Sequence, residues 1–363
     1  MKLSDVCTKG TSNIAQKDLD ARNGAYPIYG ASGFIKNVDF YHQEKPYIAI
    51  VKDGAGVGRV MQLPAKSSVI GTMQYIIPNE GFSVEYLAYA LEHMNLSKYY
   101  LGAAIPHIYF KDYCSETLPN HTPEEQAHIS HVLGLVSNLI FLRKQQLSKL
   151  DEIVRSRFIE MFENGNFPLV KAEDVCEFIT KSTTPPTGEI YTEFGDNRIP
   201  YLKVYNLSFD GSLLFDCAPQ YIDKSVHNGK LSRSKVYPND VLMNIVGPPL
   251  GKFSLVTSAF AEWNINQAIS IFRAKNNVLP RFLLSALMQP TVLEPFLKQA
   301  VGVRQLNISL EQCRNIQFPL PPIELQAEFV AFAEQTDKSK VTAQKSLEKL
   351  ETLKKALMQQ YFG

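Results

Sequence analysis

The chain is written twice, and that duplication limits its possible folds more than any other feature. Residues 102–163 lie over residues 302–363 at a constant offset of 200, without a gap. Gly102 falls on Gly302, Ile108 on Ile308, Pro119 on Pro319, and Glu124, Gln126 and Ala127 on Glu324, Gln326 and Ala327. Leu147, Lys149, Leu150 and Phe162 then meet Leu347, Lys349, Leu350 and Phe362, making ten identities in 62 positions. Upstream the copies drift and need gaps. Asp5-Val6-Cys7 answers Asp174-Val175-Cys176, and Gln74 in GTMQYIIP answers Gln267 in NINQAISIF. Each glutamine is followed by a helix-like LAYAL or LLSAL stretch. The order is variable module, long helix, variable module, long helix: two half-molecules in tandem.

The second part of each repeat has a helical period. Ile129, Leu133, Val136, Ile140, Leu147, Leu150, Val154 and Met161 alternate in steps of three and four, broken only at Arg143 and Arg157. Thr122, Pro123 and Glu125 stand where an N-cap, a first-turn proline and a capping-box acid belong. The second copy starts through Leu-Pro-Pro and carries Phe329, Val341, Leu347, Leu350, Leu353 and Leu357. Roughly 40 residues at about 1.5 Å each span about 60 Å. A helix that long with one narrow apolar seam wants a partner helix, which the chain supplies in its other copy; an ordinary bundle helix buried in a core is the alternative. The modules before each helix alternate short strands with Gly-rich turns, as in YPIYGASGFI, YIAIVKDGAGVGRVM, VYPNDVLMNIV and GKFSLVT. The predicted fold class is α+β: two tandem mixed α/β domains, their strands mostly antiparallel, each followed by a long helix.

Composition narrows the function classes. The apolar fraction is 45% and the charged fraction 20%, as in a soluble globular protein. No run reaches a membrane span and the start has no signal-peptide pattern, so a cytoplasmic protein with no membrane partner is expected. Five scattered cysteines without a CxxC pair point to reduced, mostly buried thiols. The net charge is +1; residues 164–317 carry 15 basic against 13 acidic side chains, and residues 1–117 carry 11 of each. A nucleic-acid-binding face would therefore be a local patch.

Several stretches imitate catalytic motifs. Asp53-Gly-Ala-Gly-Val-Gly58 lacks GxGxxG spacing and precedes no helix, so it reads as a hairpin turn. Gly247-Pro-Pro-Leu-Gly-Lys252 ends in Gly-Lys, but Phe253 replaces the Ser/Thr of a P-loop. It also lacks the polar and aromatic residues that flank Pro-Pro in adenine methyltransferases. His128 and His131 sit three apart on one helix without an acidic or Cys partner at metal-ligand spacing. No catalytic or metal residue is assigned.

Taken in order, YPIYGASG (26–33), VKDGAGVG (51–58), IPHIYF (105–110), LPNHTPEEQ (118–126), IPYLKVYNL (199–207), YPNDVLMNIVGPPLGK (237–252), RQLNIS (304–309) and FPLPPIELQ (318–326) resemble the specificity subunits of type I restriction–modification systems. The resemblance covers the whole chain. It implies target-recognition domains at 1–120 and 164–318, separated by two long spacer helices at 121–163 and 319–363 packing as an antiparallel coiled coil. It further implies a non-catalytic subunit that binds a bipartite, asymmetric double-stranded DNA target. Two methyltransferase subunits would be its partners, with motor–nuclease subunits in the full complex. S-adenosylmethionine, ATP and magnesium are expected on those partner subunits and no cofactor on this chain.

Base readout needs side-chain donors and acceptors, while Lys, Arg and backbone N–H groups hold phosphates. The candidates are Tyr29, Ser32, Lys52, Arg59, Gln74, His107 and Lys111 in the first module. In the second they are Lys203, Tyr205, Asn206, Lys252, Asn264, Gln267, Arg304, Gln305 and Asn307. Two other readings stay open on the sequence: a coiled-coil scaffold whose modules bind protein or glycan, and a DNA methyltransferase or nuclease with an unrecognised site.

Overall fold

The computed structural model describes residues 1–100, 106–183, 185, 187–302 and 306–363. The chain forms two compact units, one of Met1–Gln145 with Gln344–Gly363 and one of Gln146–Ala343. The long helices, Pro123–Phe158 and Ile323–Phe362, each contribute to both units.

In the first unit, strands β1 (Cys7–Thr11), β2 (Tyr26–Gly30), β3 (Gly33–Val38), β4 (Tyr47–Val51), β5 (Val60–Leu63), β6 (Ser68–Val69) and β7 (Met73–Pro78) form two sheets. One is antiparallel in the order β1-β7-β4-β5; the other has the order β3-β2-β6, with β2 and β6 parallel. β4 is buried along its whole length. Its period of two sends Ile48 and Ile50 toward the helix Val84–His93, packing with Leu87, Ala88, Ala90 and Leu91. Tyr47, Ala49 and Val51 face the opposite way, against Met73, Tyr75 and the edge of the second sheet at Tyr29 and Ala31. Ser83 caps the helix, its hydroxyl accepting from the Tyr86 N–H at 3.0 Å.

The second unit holds β8 (Leu169–Lys171), β9 (Cys176–Lys181), β10 (Ile190–Tyr191), β11 (Arg198–Leu202), β12 (Tyr221–Asp223), β13 (Lys235–Val236), β14 (Val241–Asn244), β15 (Phe253–Leu255), β16 (Trp263–Ile265), β17 (Ile269–Ala274) and β18 (Gln317–Pro319). Its antiparallel sheet has the order β15-β14-β17-β9, which repeats β5-β4-β7-β1 strand for strand. Val241 and Met243 of β14 face the core that includes the helix Pro280–Leu287. Leu242 faces Trp263, Ile265 and Leu202 of the neighbouring five-stranded sheet. That second sheet, β10-β12-β11-β16-β13, is longer than its counterpart in the first unit and contains one parallel pair, β11 with β16.

The strand registers correct one detail of the repeat. Gln74 pairs with Ile50 and Thr11, and Ser270 pairs with Met243 and Lys181, so the residue equivalent to Gln74 is Ser270, three positions beyond Gln267. Gln74 is buried and donates to the Tyr113 hydroxyl. At the matching place Ser270 donates to the Met243 carbonyl at 3.2 Å and lies beside Cys313. A large polar pair has been exchanged for a small one.

Within each unit the two long helices run antiparallel. In the first, Ile129 and Leu133 pack with Met358 and with Tyr86 and Tyr89 of the module, and Lys144 pairs with Glu351 at 2.9 Å. In the second, Phe158, Phe162, Phe282 and Phe329 form one aromatic cluster with centroids 5.0–6.2 Å apart, and Arg157 pairs with Glu328 at 3.0 Å. The seam follows the three–four period read from the sequence through Ile129, Leu133, Val136 and Val154, then continues at Phe158 and Phe162, leaving Met161 half-buried. On the C-terminal helix Phe329 and Leu347 of the expected seam are buried, joined by Ala333, Ala343 and Met358, while Val341 and Leu353 lie on the solvent face. The helix start is as the sequence indicates, with the Thr122 hydroxyl accepting from Glu125 N–H and the Glu125 carboxylate accepting from Thr122 N–H. No helix among the described residues is long and apolar enough to cross a membrane.

The repeated Gln126 and Gln326 close the two helix starts. Gln126 donates to the His121 carbonyl at 3.1 Å, and Gln326 donates to the matching Pro321 carbonyl at 2.9 Å. Gln326 also donates to Asn277 O and accepts from Leu279 N–H. Gln326→Leu removes three hydrogen bonds to backbone groups, the one to Pro321 buried, and is expected to cost about 2–3 kcal/mol in urea unfolding. Gln126→Leu, which loses the single bond to His121, is expected to cost less; equal losses would contradict this bonding pattern. The cysteines give a second test. Burial pushes the thiols of Cys7, Cys176 and Cys313 up to about 12, whereas Cys217 is exposed. At pH 8 a thiol reagent should label Cys217 quickly and reach the three buried thiols only on unfolding. Rapid labelling of Cys313 in the folded protein would refute its placement.

Candidate nucleic-acid interface

Each central strand ends in a hairpin loop, and the two loops match residue for residue. Ile50 pairs with Val60 across the first hairpin and Met243 with Phe253 across the second. Val51–Arg59 therefore corresponds to Asn244–Lys252 without a gap. Gly54 matches Gly247, Gly58 matches Gly251, and all four have positive φ. Arg59 matches Lys252, so both loops end in a basic residue. At Gly58 a Cβ would lie 2.5 Å from the backbone nitrogen of Ser97, so the loop sits against the segment after the helix Val84–His93. Both loops are hairpin turns, as the sequence indicates for Asp53–Gly58.

The first loop joins two other segments. Arg59 Nη1 donates to the Ala31 carbonyl at 2.8 Å, in the turn between β2 and β3 that carries the exposed Ser32 and follows Tyr29 near the end of β2. On the other side Gly54 N–H donates to Pro106 O at 2.9 Å, and Ile108 N–H donates to Lys52 O at 3.0 Å. This short ladder brings His107 against Asp53, where the ring Nδ1–H donates to the carboxylate. The His107 ring lies 4.1 Å from the Tyr109 ring, and Lys111 Nζ lies 5.2 Å from that ring's centroid. One surface thus collects Tyr29, Ser32, Lys52, Arg59, His107 and Lys111 of the sequence candidates.

The second loop is built alike. Gly247 N–H donates to Leu306 O at 2.9 Å and Ile308 N–H to Ile245 O at 2.9 Å, placing Val246 opposite Asn307. The buried Asn244 replaces Val51 and locks the loop, donating to Pro249 O at 2.9 Å and accepting from Lys252 N–H at 2.7 Å. Lys252 leans toward the neighbouring turn, its Nζ 5.7 Å from the Phe209 ring centroid. That turn carries Lys203 and the exposed Tyr205, and is tied to β15 through Ser208 and Phe253. Asn266 N–H donates to Leu202 O at 3.0 Å, which sets the exposed Gln267 next to the same turn.

Three candidates have no face toward a ligand. Gln74 is consumed by Tyr113 as described above. Asn206 is buried, accepting from Lys203 N–H and donating to Leu214 O, so it shapes the turn that displays its neighbours. Asn264 is buried among Ser234, Leu231 and His227, whose ring burial holds below the ordinary histidine pKa and so neutral. Asparagine and glutamine are read as base-contacting types, but the same amides satisfy buried backbone groups, and sequence alone does not separate the two uses. Arg304 and Gln305 lie outside the described residues. Asp53, Tyr109, Phe34 and Phe209 border the same two surfaces without being sequence candidates; Phe34 and Phe209 are 59% and 54% exposed. The pairing of Asp53 with His107, 54 residues apart, has no sequence signal. His128 and His131 are exposed, and no group of three or more metal-ligating side chains occurs among the described residues.

The loop glycines give a test of this geometry. Gly58→Ala forces both an unfavourable φ and a backbone collision, and is expected to cost about 1–3 kcal/mol. Gly54→Ala meets the φ cost alone, with nothing within 4 Å of its Cβ, and should cost less in the same thermal melts. A harmless Gly58→Ala would contradict the packing of the loop on Ser97.

Comparisons with known proteins agree with this architecture. The family model described as the type I restriction modification DNA specificity domain matches twice, at residues 1–152 and 164–353. The chain is 24% identical over 349 residues to the type I restriction enzyme MjaVIII specificity subunit of Methanocaldococcus jannaschii, covering 90% of this chain and 81% of that one. It is also 32% identical over 106 residues to the EcoBI specificity subunit of Escherichia coli, covering 28% of this chain and 22% of that one. The fold resembles the crystal structure of a type I S subunit from M. genitalium, with a TM-score of 0.57 at 14% identity, covering all of this chain and 95% of the other. With both halves matched, the chain belongs to the family of type I restriction–modification DNA specificity domains and carries two of them.

Proposed function

We propose that this chain reads a bipartite, asymmetric DNA target, each module taking one half-site, and leaves the chemistry to partner subunits. The observation that carries the reading is the repeated scaffold with unlike edges. Both modules share the strand order and the Gly-x-x-x-Gly-basic hairpin, yet the turns beside that hairpin, 30–33 in one and 203–209 in the other, differ in sequence and length. A common loop with a basic end suits the phosphate backbone, which is the same in every sequence, and the unlike turns suit unlike base edges. Tyr29, Ser32, Lys52, Arg59, His107 and Lys111 form the proposed first surface, and Lys203, Tyr205, Lys252, Gln267 and Asn307 the second.

The long helices, about 54 and 60 Å at 1.5 Å per residue, suit spacers between half-sites a helical turn or more apart. They also carry exposed apolar side chains, among them Leu135, Leu139 and Leu142 at helical spacing, as a face for methyltransferase subunits requires. One structural relative, with a TM-score of 0.53 at 16% identity over 99% of this chain and 96% of its own, belongs to work on complex assembly and conformational transition of the type I system. The partners would supply S-adenosylmethionine-dependent adenine methylation and, with motor–nuclease subunits using ATP and magnesium, restriction. A methylation map tests the reading. The chain is co-expressed with its methyltransferase partner in a host free of adenine methylation, and modified adenine is located by genome sequencing. A two-part asymmetric motif that vanishes when this chain is omitted is expected. The same methylation without the chain, or none with a proven active partner, would overturn the assignment and favour a scaffold that binds protein or glycan.

A further inference from the structure

We propose that Asp53 and His107 form a specificity-determining pair that reads one base pair of the first half-site, and that Val246 and Asn307 hold the matched position in the second module. The inference rests on the recognition reading above and adds which side chains discriminate. It starts from a comparison the chain makes with itself. In both modules the segment at 106–108 or 306–308 is zipped to the hairpin loop by the same two backbone hydrogen bonds, 2.9 and 3.0 Å in one and both 2.9 Å in the other. The side chains across that ladder are unlike: a carboxylate and an imidazole in the first, an isopropyl group and a carboxamide in the second. The ladder closes equally well in both, so the Asp53–His107 hydrogen bond is not needed to close it. The position tolerates a complete change of chemistry on a fixed backbone, as a readout position must.

The pair is also poised to discriminate. Asp53 and His107 are 29% and 27% exposed, enough to meet a ligand and enclosed enough to keep one geometry. His107 Nδ1 is committed to Asp53 Oδ1, and the ring is braced against Tyr109. Asp53 keeps a second oxygen that can only accept a hydrogen bond, and the ring keeps Nε2. An acceptor beside an oriented imidazole fits a base whose major-groove edge offers an exocyclic amine, cytosine N4 or adenine N6. The flanking Lys52, Arg59 and Lys111 suit phosphates on either side. Val246 has no hydrogen-bonding group, so the matched position in the second module must read a different edge.

The test uses the assembled methyltransferase complex and its methylation map. The wild-type map is read first: if no motif depends on this chain, the recognition reading itself fails and this assignment falls with it. Given a wild-type motif, Asp53→Val/His107→Asn should change or relax one position in the first half and leave the second half intact. Asp53→Asn, which keeps the shape and replaces an acceptor by an amide, guards against a folding defect. It should lower discrimination at that same position by about tenfold or more. An unchanged motif with Asp53→Asn overturns the proposal. Uniform loss of methylation at every site, from complexes that still copurify with the partner, also overturns it, because that is the signature of a phosphate-holding or structural role.

Discussion

Everything at the proposed recognition surface depends on one constraint: the central strand of each main sheet is buried on both faces. Tyr47–Val51 has no exposed side chain, with Ile48 and Ile50 against a helix and Tyr47, Ala49 and Val51 against the second sheet. A strand held this way cannot slip by one residue, because a slip would send every side chain to the wrong layer. Val241–Asn244 is held in the same fashion. The residues that follow each strand therefore leave from a fixed point. Two glycines of positive φ fold them back, and a basic residue ends the loop at the same register in both modules. Neighbouring segments then dock on the loop through backbone hydrogen bonds, which are indifferent to side-chain identity. Such a design fixes the frame while letting its edge residues vary.

The places where the copies agree and disagree follow from this. Glutamines 126 and 326 share one task, each donating to a carbonyl that precedes a long helix. The Gln74–Tyr113 contact of one module becomes Ser270–Cys313 in the other, a change in size that the surrounding core absorbs. The aromatic crossings also persist, with Phe162 on Phe282 and Phe362 on Tyr86, at 5.2 and 5.4 Å, as equivalent contacts. The second sheet and the turns beside the hairpin loops are what differ most, and they border the surface assigned to DNA.

Much of the fold is legible in the sequence because its periodicities are physical. The three–four seam marks the long helices, Thr122 and Glu125 mark a start that the hydrogen bonds realise, and the Gly-rich stretches are the hairpins they imply. The alignment of Gln74 with Gln267 goes astray where the copies need gaps, since only strand pairing reveals that Ser270 is the true equivalent. On the C-terminal helix, Val341 and Leu353 are apolar yet exposed, and Ala333 and Ala343 share the seam with Phe329 and Leu347, because close helix packing favours small residues that hydrophobicity alone ranks low. The proposed recognition surface is the least legible part. Asn206 and Asn264 have the chemistry of base readers but spend it on buried backbone and side-chain groups. Asp53 gains meaning only through His107, half a module away.

The central claim is that the two matched hairpin loops face DNA, with Arg59 and Lys252 on phosphates. The most direct measurement is the salt dependence of DNA affinity for the assembled complex, compared with Arg59→Ala and Lys252→Ala, on target and unrelated duplexes. Each substitution should weaken binding to both duplexes alike and reduce the slope of log affinity against log salt by about 1. Slopes and affinities unchanged in both variants would contradict the claim and move the DNA-binding face elsewhere on the chain.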